Sequence, residues 1–251
     1  MDAVPFAFID SVAHHVSKAS VILFSEFHSQ LWSSVGATHL AKRVDFFLTV
    51  LVYSEGLQAY VQKKEIPVRR RMRRSMRPEP LTFETDRGDF DRITDICLFL
   101  DSSSERKQDR DDTETVERLI NYYSINHLRL SSEIPAASLM TFGFLWEQDY
   151  QTIGTTNYFT CLSLLNYHLK ENLKLEKVIV RRAKYDYMWK LTDAFKLGRN
   201  VPIRQEQQTG KRFRDLPDLG FQPSSMGETL MELKCENEVT KKVVTFVCSP
   251  N

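Results

Sequence analysis

Short apolar runs recur along the middle of this chain at a fairly regular spacing. They lie at residues 96–100, 125–130, 178–180 and 201–203, with a weaker run at 151–153. Counting the weaker run, the spacing is roughly two dozen to thirty residues, which is typical of stacked repeat architectures. Runs of this length that alternate apolar and polar side chains predict β-strands.

The segments between these runs carry apolar residues at the three-to-four spacing of a helix with one buried face. They lie near residues 114–123, 158–171 and 186–197. A strand and a helix that cannot bury their apolar faces alone stack on copies of themselves. We therefore predict an α/β array in which the strands lie parallel in one sheet and the helices cover one face, as in leucine-rich-repeat-like proteins. An α+β domain with evenly spaced strands is the alternative.

The end of the chain carries the signal of a β-hairpin. Residues 231–235 and 242–248 are rich in strand-forming side chains and flank a polar segment at 236–240. The four cysteines are too few for a disulfide framework in a chain of 251 residues. We expect Cys235 and Cys248 to be buried free thiols that could face one another across the hairpin.

The first forty residues predict a small helical unit. Apolar residues at helical spacing form two series, and Gly36 is the expected break after the second. The first series is Phe8, Ile9, Val12 and Val16, and the second is Val21, Phe24, Phe27 and Leu31. Two short helices with facing apolar stripes favour an antiparallel pair.

The next forty residues predict a helical connector that carries a basic run. Residues 41–62 have a strongly apolar pattern at helical spacing, and Pro78-Glu79-Pro80 is the expected linker. We therefore divide the chain into a helical unit at 1–40, a connector at 41–80 and an α/β domain at 81–251. The polar stretch 101–112 predicts a loop, with Asp111 or Asp112 capping the helix that follows.

Composition limits the classes of function. Apolar residues make up 42% of the chain and charged residues 27%, and 34 basic side chains nearly balance 33 acidic ones. The near-zero net charge argues against a protein drawn as a whole to nucleic acid or acidic membrane. No apolar stretch is long enough to cross a bilayer, and the first thirty residues lack the pattern of a signal peptide. We expect an intracellular protein, cytoplasmic or nuclear.

One segment departs from this balance. Its six arginines could bind phosphates or form a nuclear-import signal. They are Arg69, Arg70, Arg71, Arg73, Arg74 and Arg77. No aromatic side chains alternate with them, so a surface that stacks nucleic-acid bases is not indicated. A solvated segment is the favoured interpretation, and nucleic acid is an unlikely partner.

No catalytic or cofactor motif is recognisable. The chain lacks the metalloprotease, phosphate-loop, dinucleotide-binding and nucleophile-elbow patterns. His14 and His15 are adjacent, so on a helix they point about 100° apart and cannot easily share a metal. The other histidines, His28, His39, His127 and His168, stand apart in the sequence. We therefore predict a non-enzymatic protein without a metal or cofactor.

The opening residues, Met1-Asp2-Ala3-Val4-Pro5-Phe6-Ala7-Phe8-Ile9-Asp10-Ser11-Val12, resemble the start of an F-box. Val16, Val21, Phe24, Phe27 and the Leu31-Trp32 pair fall where that motif carries its later apolar residues and its closing tryptophan. Val4 stands where the motif usually has leucine. The rest of the chain is similar to the nematode-expanded F-box and F-box-associated proteins, through residues 89–94, the strand at 125–130 and the tail up to 250.

This resemblance implies a substrate adaptor of a cullin-RING ubiquitin ligase. The amino-terminal helices would then bind the small linker protein of the ligase, and the α/β array would bind an unknown protein substrate. The residues that the resemblance assigns to linker binding are Pro5, Phe6, Phe8, Ile9 and Val12. The alternative is a nuclear or nucleic-acid-associated protein that acts through the segment from Arg69 to Arg77.

Overall fold

The computed structural model describes residues 4–16, 18–53, 56–64, 88–100, 111–130, 142–155, 162–181, 185–199, 216–217, 220–224 and 230–249. Its first part is a helical unit made of α1 (Phe6–His15), α2 (Lys18–Ile22), a 3-10 helix (Leu23–Glu26) and α3 (Gln30–Lys42). Helix α1 begins where the Pro5 carbonyl accepts hydrogen bonds from the backbone N–H groups of Phe8 and Ile9, at 3.0 and 3.3 Å. The unit has a core of its own, formed by Ile9, Ala13, Phe24 and Val35.

The sequence predicted that Gly36 follows the end of a helix, but Gly36 lies inside α3. A Cβ atom at this position would stand 2.8 Å from Cβ of Phe24 and 3.3 Å from the carbonyl oxygen of Val21. The glycine is therefore needed for close approach between α3 and the 3-10 helix, and its lack of a side chain does not interrupt the helix. Glycine is commonly required where φ is positive or where two backbones approach closely, and Gly36 is an example of close approach.

We expect Gly36→Ala to destabilise the helical unit, although alanine is the better helix former by about 1 kcal/mol. The new methyl group would overlap Cβ of Phe24, an atom fixed to the backbone that cannot rotate away. Overpacking of this kind costs about 1–3 kcal/mol, so the net change should be a loss of stability. Thermal unfolding followed by circular dichroism measures it. Ser34→Ala, at an exposed position of the same helix, is the control and should be neutral or slightly stabilising.

The second part is a mixed sheet whose nine described strands lie in the order β2-β1-β3-β4-β5-β6-β9-β8-β7. The strands are β1 (Asp45–Val52), β2 (Leu57–Lys63), β3 (Arg92–Leu100), β4 (His127–Leu130), β5 (Thr152–Thr155), β6 (Lys177–Val180), β7 (Gln222–Pro223), β8 (Met231–Glu236) and β9 (Val243–Cys248). Six neighbouring strands, β1, β3, β4, β5, β6 and β9, are parallel. The predicted parallel arrangement in one sheet is therefore confirmed.

The predicted helical connector is wrong at residues 45–52 and 57–63. These two segments form β1 and β2, which pair antiparallel in the register Thr49↔Tyr60. The same apolar residues fit both periods, and burial in the structure alternates at Leu48, Val50 and Val52 as a strand requires. Pairing of β1 with both β2 and β3 decides between the two periods. Residues 41 and 42 of the predicted connector are the last residues of α3, and residues 65–80, with the basic run, lie outside the described residues.

Helices α4 (Thr113–Tyr122), α5 (Gly143–Trp146), α6 (Leu162–Lys170) and α7 (Tyr185–Lys196) connect or follow the parallel strands. Apolar side chains of all four helices join one core cluster with strand residues such as Leu98, Leu128 and Val178. Those strand residues share one face of the sheet, because paired residues point to the same side. The helices therefore cover one face, as predicted. The predicted run at 201–203 lies outside the described residues.

The predicted carboxy-terminal hairpin is confirmed, since β8 and β9 pair antiparallel. Strand β9 also pairs with β6, so the hairpin extends the parallel array. Cys235 and Cys248 are buried free thiols, as expected, and burial raises the pKa of the Cys235 thiol to about 11. They do not face one another, because Cys235 pairs with Val244 and Cys248 pairs with Met231 at the other end of the hairpin.

Asp111 and Asp112 bind the outer edge of the sheet. Strand β2 is an edge strand, and its Leu57 and Ala59 N–H groups donate to the carboxylates of Asp111 and Asp112 at 3.2 and 2.9 Å. Asp112 is the N-cap residue of α4 but makes no side-chain cap hydrogen bond. Asp111 instead accepts from the N–H of Thr113 at 3.1 Å. The predicted capping is therefore supplied by Asp111, and both acids also protect an exposed strand edge.

Among the described helices, none combines the length and the apolar character that a membrane crossing requires.

Candidate functional site: the exposed face of the sheet

The parallel sheet has one face without a helix layer in the described part of the chain. On strands β3 to β6, the residues that alternate with the core side chains are mostly half-buried or exposed. Two rows of paired residues cross this exposed face. The first row is Phe47, Asp95, His127, Thr152 and Lys177, and the second is Thr49, Cys97, Arg129, Gly154 and Ile179. Alternation along each strand therefore gathers chemically different side chains from five strands.

Asp95 is the buried residue of the first row. Its side chain is 1% exposed, although a buried carboxylate is costly without partners. Lys64 Nζ lies 2.6 Å from one carboxylate oxygen, and Arg129 Nη2 lies 3.2 Å from the other. The Thr94 hydroxyl donates a further hydrogen bond at 2.8 Å. The carboxylate is thus fully engaged, and it fixes two cationic side chains that come from opposite sides.

Phe47 adds an aromatic surface to the same cluster. The ring centroid lies 5.2 Å from Lys64 Nζ and 5.0 Å from Arg129 Cζ. Both distances are within the range of cation–π attraction. The two cations are therefore oriented by a carboxylate and by an aromatic ring, which restricts their motion. A fixed cation loses less entropy on binding an anion than a freely moving one.

His127 stands beside Asp95 in the row and is mainly neutral near pH 7. Burial lowers its pKa, and the positive charges of Lys64, Arg129 and Lys177 lower it further, against the opposing effect of Asp95. A charged imidazole is disfavoured here because the surroundings already carry several cations. The histidine can therefore offer a neutral hydrogen-bonding group to a bound molecule.

Most of the polar residues in the two rows line a cavity of about 270 Å³. Its wall includes four cationic side chains and one carboxylate, Lys64, Arg129, Lys177, Arg181 and Asp95. Gly154 lies in the middle of the floor, where a Cβ atom would meet Cγ of Arg129 at 3.8 Å, so the floor is lower there than under a side chain. The cavity thus has a surplus of positive charge and a low centre. This combination suits an extended acidic ligand.

A second surface lies on the helical unit, where the resemblance placed the linker-binding residues. Pro5 is exposed, and Phe6 and Phe8 expose 57% and 56% of their surface. Val12 is partly buried and packs against the small core. Ile9 is 0% exposed and belongs to the core itself. The structure therefore leaves Pro5, Phe6 and Phe8 accessible and buries Ile9 in the small core, and the role of these residues in linker binding stays a prediction.

More apolar side chains of the same unit are exposed than the sequence predicted. Ile22, Leu23 and Phe27 expose 52%, 50% and 37% of their surface. The second apolar series was expected to be one buried helical stripe, but it is split between α2, the 3-10 helix and α3. Val21 and Phe24 of that series are buried, and Phe27 is exposed. Ile22 and Leu23 lie outside the series, and together with Phe27 they form accessible apolar surface.

The six arginines between Arg69 and Arg77 lie outside the described residues, so their predicted role stays a prediction. One cluster was missed by the sequence analysis. Asp10, His14 and His39 come together between α1 and α3, although the histidines were expected to stand alone. The four-residue spacing of Asp10 and His14 on one helix was the available signal. The contribution of His39 depends on helix packing that the spacing does not reveal.

No protein-family model, curated protein or solved structure matches this chain.

Proposed function

We propose that this protein is a non-enzymatic interaction module with two binding surfaces, and that it serves as a substrate adaptor of a cullin-RING ubiquitin ligase. In this proposal the amino-terminal unit is F-box-like and binds the linker protein. The sheet is a leucine-rich-repeat-like array whose exposed face binds an acidic segment of a protein substrate.

The observation that carries the proposal is the concentration of exposed apolar side chains on the helical unit. Five of the eleven large apolar side chains exposed in the described part of the chain lie between Phe6 and Phe27. Clustered apolar exposure on a protein surface marks sites of protein contact. The small core of this unit also supports the proposal, because a unit of this size gains stability when a partner covers further apolar area.

The sheet face supports the second half of the proposal. An array of parallel strands presents one side chain per strand in each row, so an extended segment lying across the rows can contact several strands at once. Lys177 and Arg181 extend the positive surface beyond the Asp95 cluster. The surplus of positive charge favours acidic partners and disfavours basic ones.

Linker binding is tested by co-purification of the purified chain with the linker protein of the ligase. The parent chain should bind, and Phe8→Asp should reduce binding at least tenfold, because a charge replaces an apolar contact. Leu173→Asp is the matched control, since Leu173 is 85% exposed but lies in the array. Failure of the parent chain to bind the linker protein would exclude the adaptor role.

The sheet face is tested with a fluorescein-labelled decaglutamate peptide and the full chain. We expect weak binding that falls as salt increases, because exposed charges are screened. The double variant Lys177→Glu, Arg181→Glu should weaken binding about tenfold or more. The double variant Lys170→Glu, Lys174→Glu makes the same charge change at exposed positions outside the cavity. Equal losses of peptide binding in the two double variants would show that binding depends only on the net charge of the chain. That result would contradict a binding site on the sheet face.

A further inference from the structure

Two helices of the amino-terminal unit bring together three side chains that commonly bind metals. Asp10 and His14 are four residues apart on α1, so they lie on one face of the helix. His39 reaches the same point from α3. One ligand atom from each residue lies within 4.8 Å of the others. Two imidazole nitrogens and one carboxylate oxygen form a ligand set that zinc takes in proteins.

The distances are close to those of a coordinated metal. His14 Nε2 lies 3.3 Å from one Asp10 oxygen, and His39 Nε2 lies 2.8 Å from the other. In a tetrahedral zinc site with bonds of about 2.1 Å, ligand atoms lie about 3.4 Å apart. The two contacts use different oxygens of Asp10, and one ligand atom from each of the three residues lies within 4.8 Å of the others, so the side chains must draw together around an ion. Side-chain rotation of Asp10 on the partly exposed side can supply that movement.

Aromatic rings pack around the two imidazoles. The rings of His14 and His39 lie 4.4 Å apart, edge to face, and Phe90 lies 5.9 and 5.0 Å from them. His14 Nδ1 is also buried without a hydrogen-bond partner, so this ring is not held by an ordinary pair of hydrogen bonds.

The cluster has a protected side and an accessible side. The His39 side chain is 1% exposed, while those of His14 and Asp10 are 23% and 32% exposed. A metal can therefore enter past Asp10 and keep a water molecule as its fourth ligand. Lys42 lies over the Phe90 ring at 5.3 Å, and Arg92 interacts electrostatically with Asp10. These cations disfavour ions held by charge alone, such as Mg²⁺ and Ca²⁺, relative to a metal bonded to nitrogen.

We propose that Asp10, His14 and His39 form a zinc-binding site that joins α1 to α3. The ion would hold α1 and α3 together in a unit whose buried core cluster is small. Among the described residues, that cluster is Ile9, Ala13, Phe24 and Val35. Metal binding that depends on the folded arrangement stabilises the fold by mass action. Zinc would therefore raise the melting temperature of the helical unit without contact with the exposed face of the sheet.

The test uses the full chain, purified without a histidine tag and freed of metal by a chelator. Calorimetric titration with ZnCl₂ should give one ion per chain, and zinc should raise the melting temperature. Asp10→Asn and His14→Gln should each weaken binding at least tenfold, because each removes one ligand. His15→Gln, the neighbouring histidine on the same helix and exposed, should bind zinc as the parent chain does.

Cobalt provides a second measurement, because zinc could also bind the free thiols. Co²⁺ held by nitrogen and oxygen gives ligand-field absorption without the thiolate-to-cobalt charge-transfer band. That spectrum should appear in the parent chain and vanish in His14→Gln, which changes a partly exposed residue and should not unfold the unit. Zinc binding that is absent in the parent chain, or that is unchanged in both Asp10→Asn and His14→Gln, would overturn the proposal.

Discussion

Replacing Ile9 with aspartate should unfold the amino-terminal helical unit, whereas the same replacement at Phe8 should leave it folded. Ile9 is 0% exposed and packs in the small core with Ala13, Phe24 and Val35, while Phe8 exposes 56% of its surface. A carboxylate at Ile9 would be buried without a partner, and the apolar contacts of isoleucine would be lost. The combined cost is roughly 3 to 5 kcal/mol, which is large for a unit of this size.

Hydrogen exchange of the α3 amides is the appropriate measurement, because α3 packs directly on α1. Protection should disappear throughout α3 in Ile9→Asp and persist in Phe8→Asp. Protection in strands β3 to β6 should be unchanged in both variants, since the array has a separate core. Retained protection in Ile9→Asp would show that the small core does not hold the unit together.

This pair of variants also decides how linker binding must be tested. A binding loss in Ile9→Asp would report unfolding and not the loss of a contact. Phe8 is on the same helix and next in sequence, so Phe8→Asp changes the surface while keeping the core. Linker binding must therefore be tested at exposed residues such as Phe8, which the fold does not require, and not at core residues such as Ile9.

The array was predictable from sequence because its strands and helices have different and unambiguous periods. Runs such as 125–130 alternate, and segments such as 186–197 repeat every three to four residues, so each pattern fits one element. The segment 45–52 is apolar at almost every position and fits both periods. Its structure is decided by pairing with β2 and β3, which is a property of the whole sheet.

The candidate sites were less predictable because each depends on residues far apart in sequence. Asp95 meets Lys64 and Arg129 only because β2, β1, β3 and β4 are neighbours in one sheet with a fixed register. Sequence alternation could predict that Asp95 and Arg129 lie off the core side, but not that they pair. Likewise, His39 reaches Asp10 because α1 and α3 pack against one another in the helical unit. Register and helix packing are set by tertiary contacts, which local patterns do not specify.

A second large effect is expected from acid. His168 on α6 is 0% exposed, and its Nδ1 atom lies 3.0 Å from the side-chain nitrogen of Asn172. That nitrogen also donates to the carbonyl of Tyr150 at 2.7 Å, so the Asn172 amide donates to a neutral imidazole. Burial lowers the pKa of His168 to about 4; the Trp146 carbonyl opposes this shift, and the positive charge of Lys242 adds a smaller lowering effect.

The unfolded chain therefore binds a proton at this histidine at higher pH than the folded chain does. Its ordinary pKa is about 6.5, so stability is fully present above that value and falls as pH drops from 6.5 towards 4. The difference between the two pKa values corresponds to a loss on the order of 3 kcal/mol at pH 4. His127, whose pKa is also lowered, contributes with the same sign.

Urea unfolding of the parent chain and of His168→Gln, measured at several pH values between 7 and 4, isolates this effect. Glutamine at this position does not titrate, so the free energy of unfolding should depend less steeply on pH in the variant, with the gap between the two chains narrowing as pH falls. His28→Gln, at an exposed position, should keep the slope of the parent chain. Equal slopes for the parent chain and His168→Gln would mean that His168 accepts a proton as readily in the folded state as in the unfolded state. That result would contradict the burial of His168 as a neutral group in contact with Asn172.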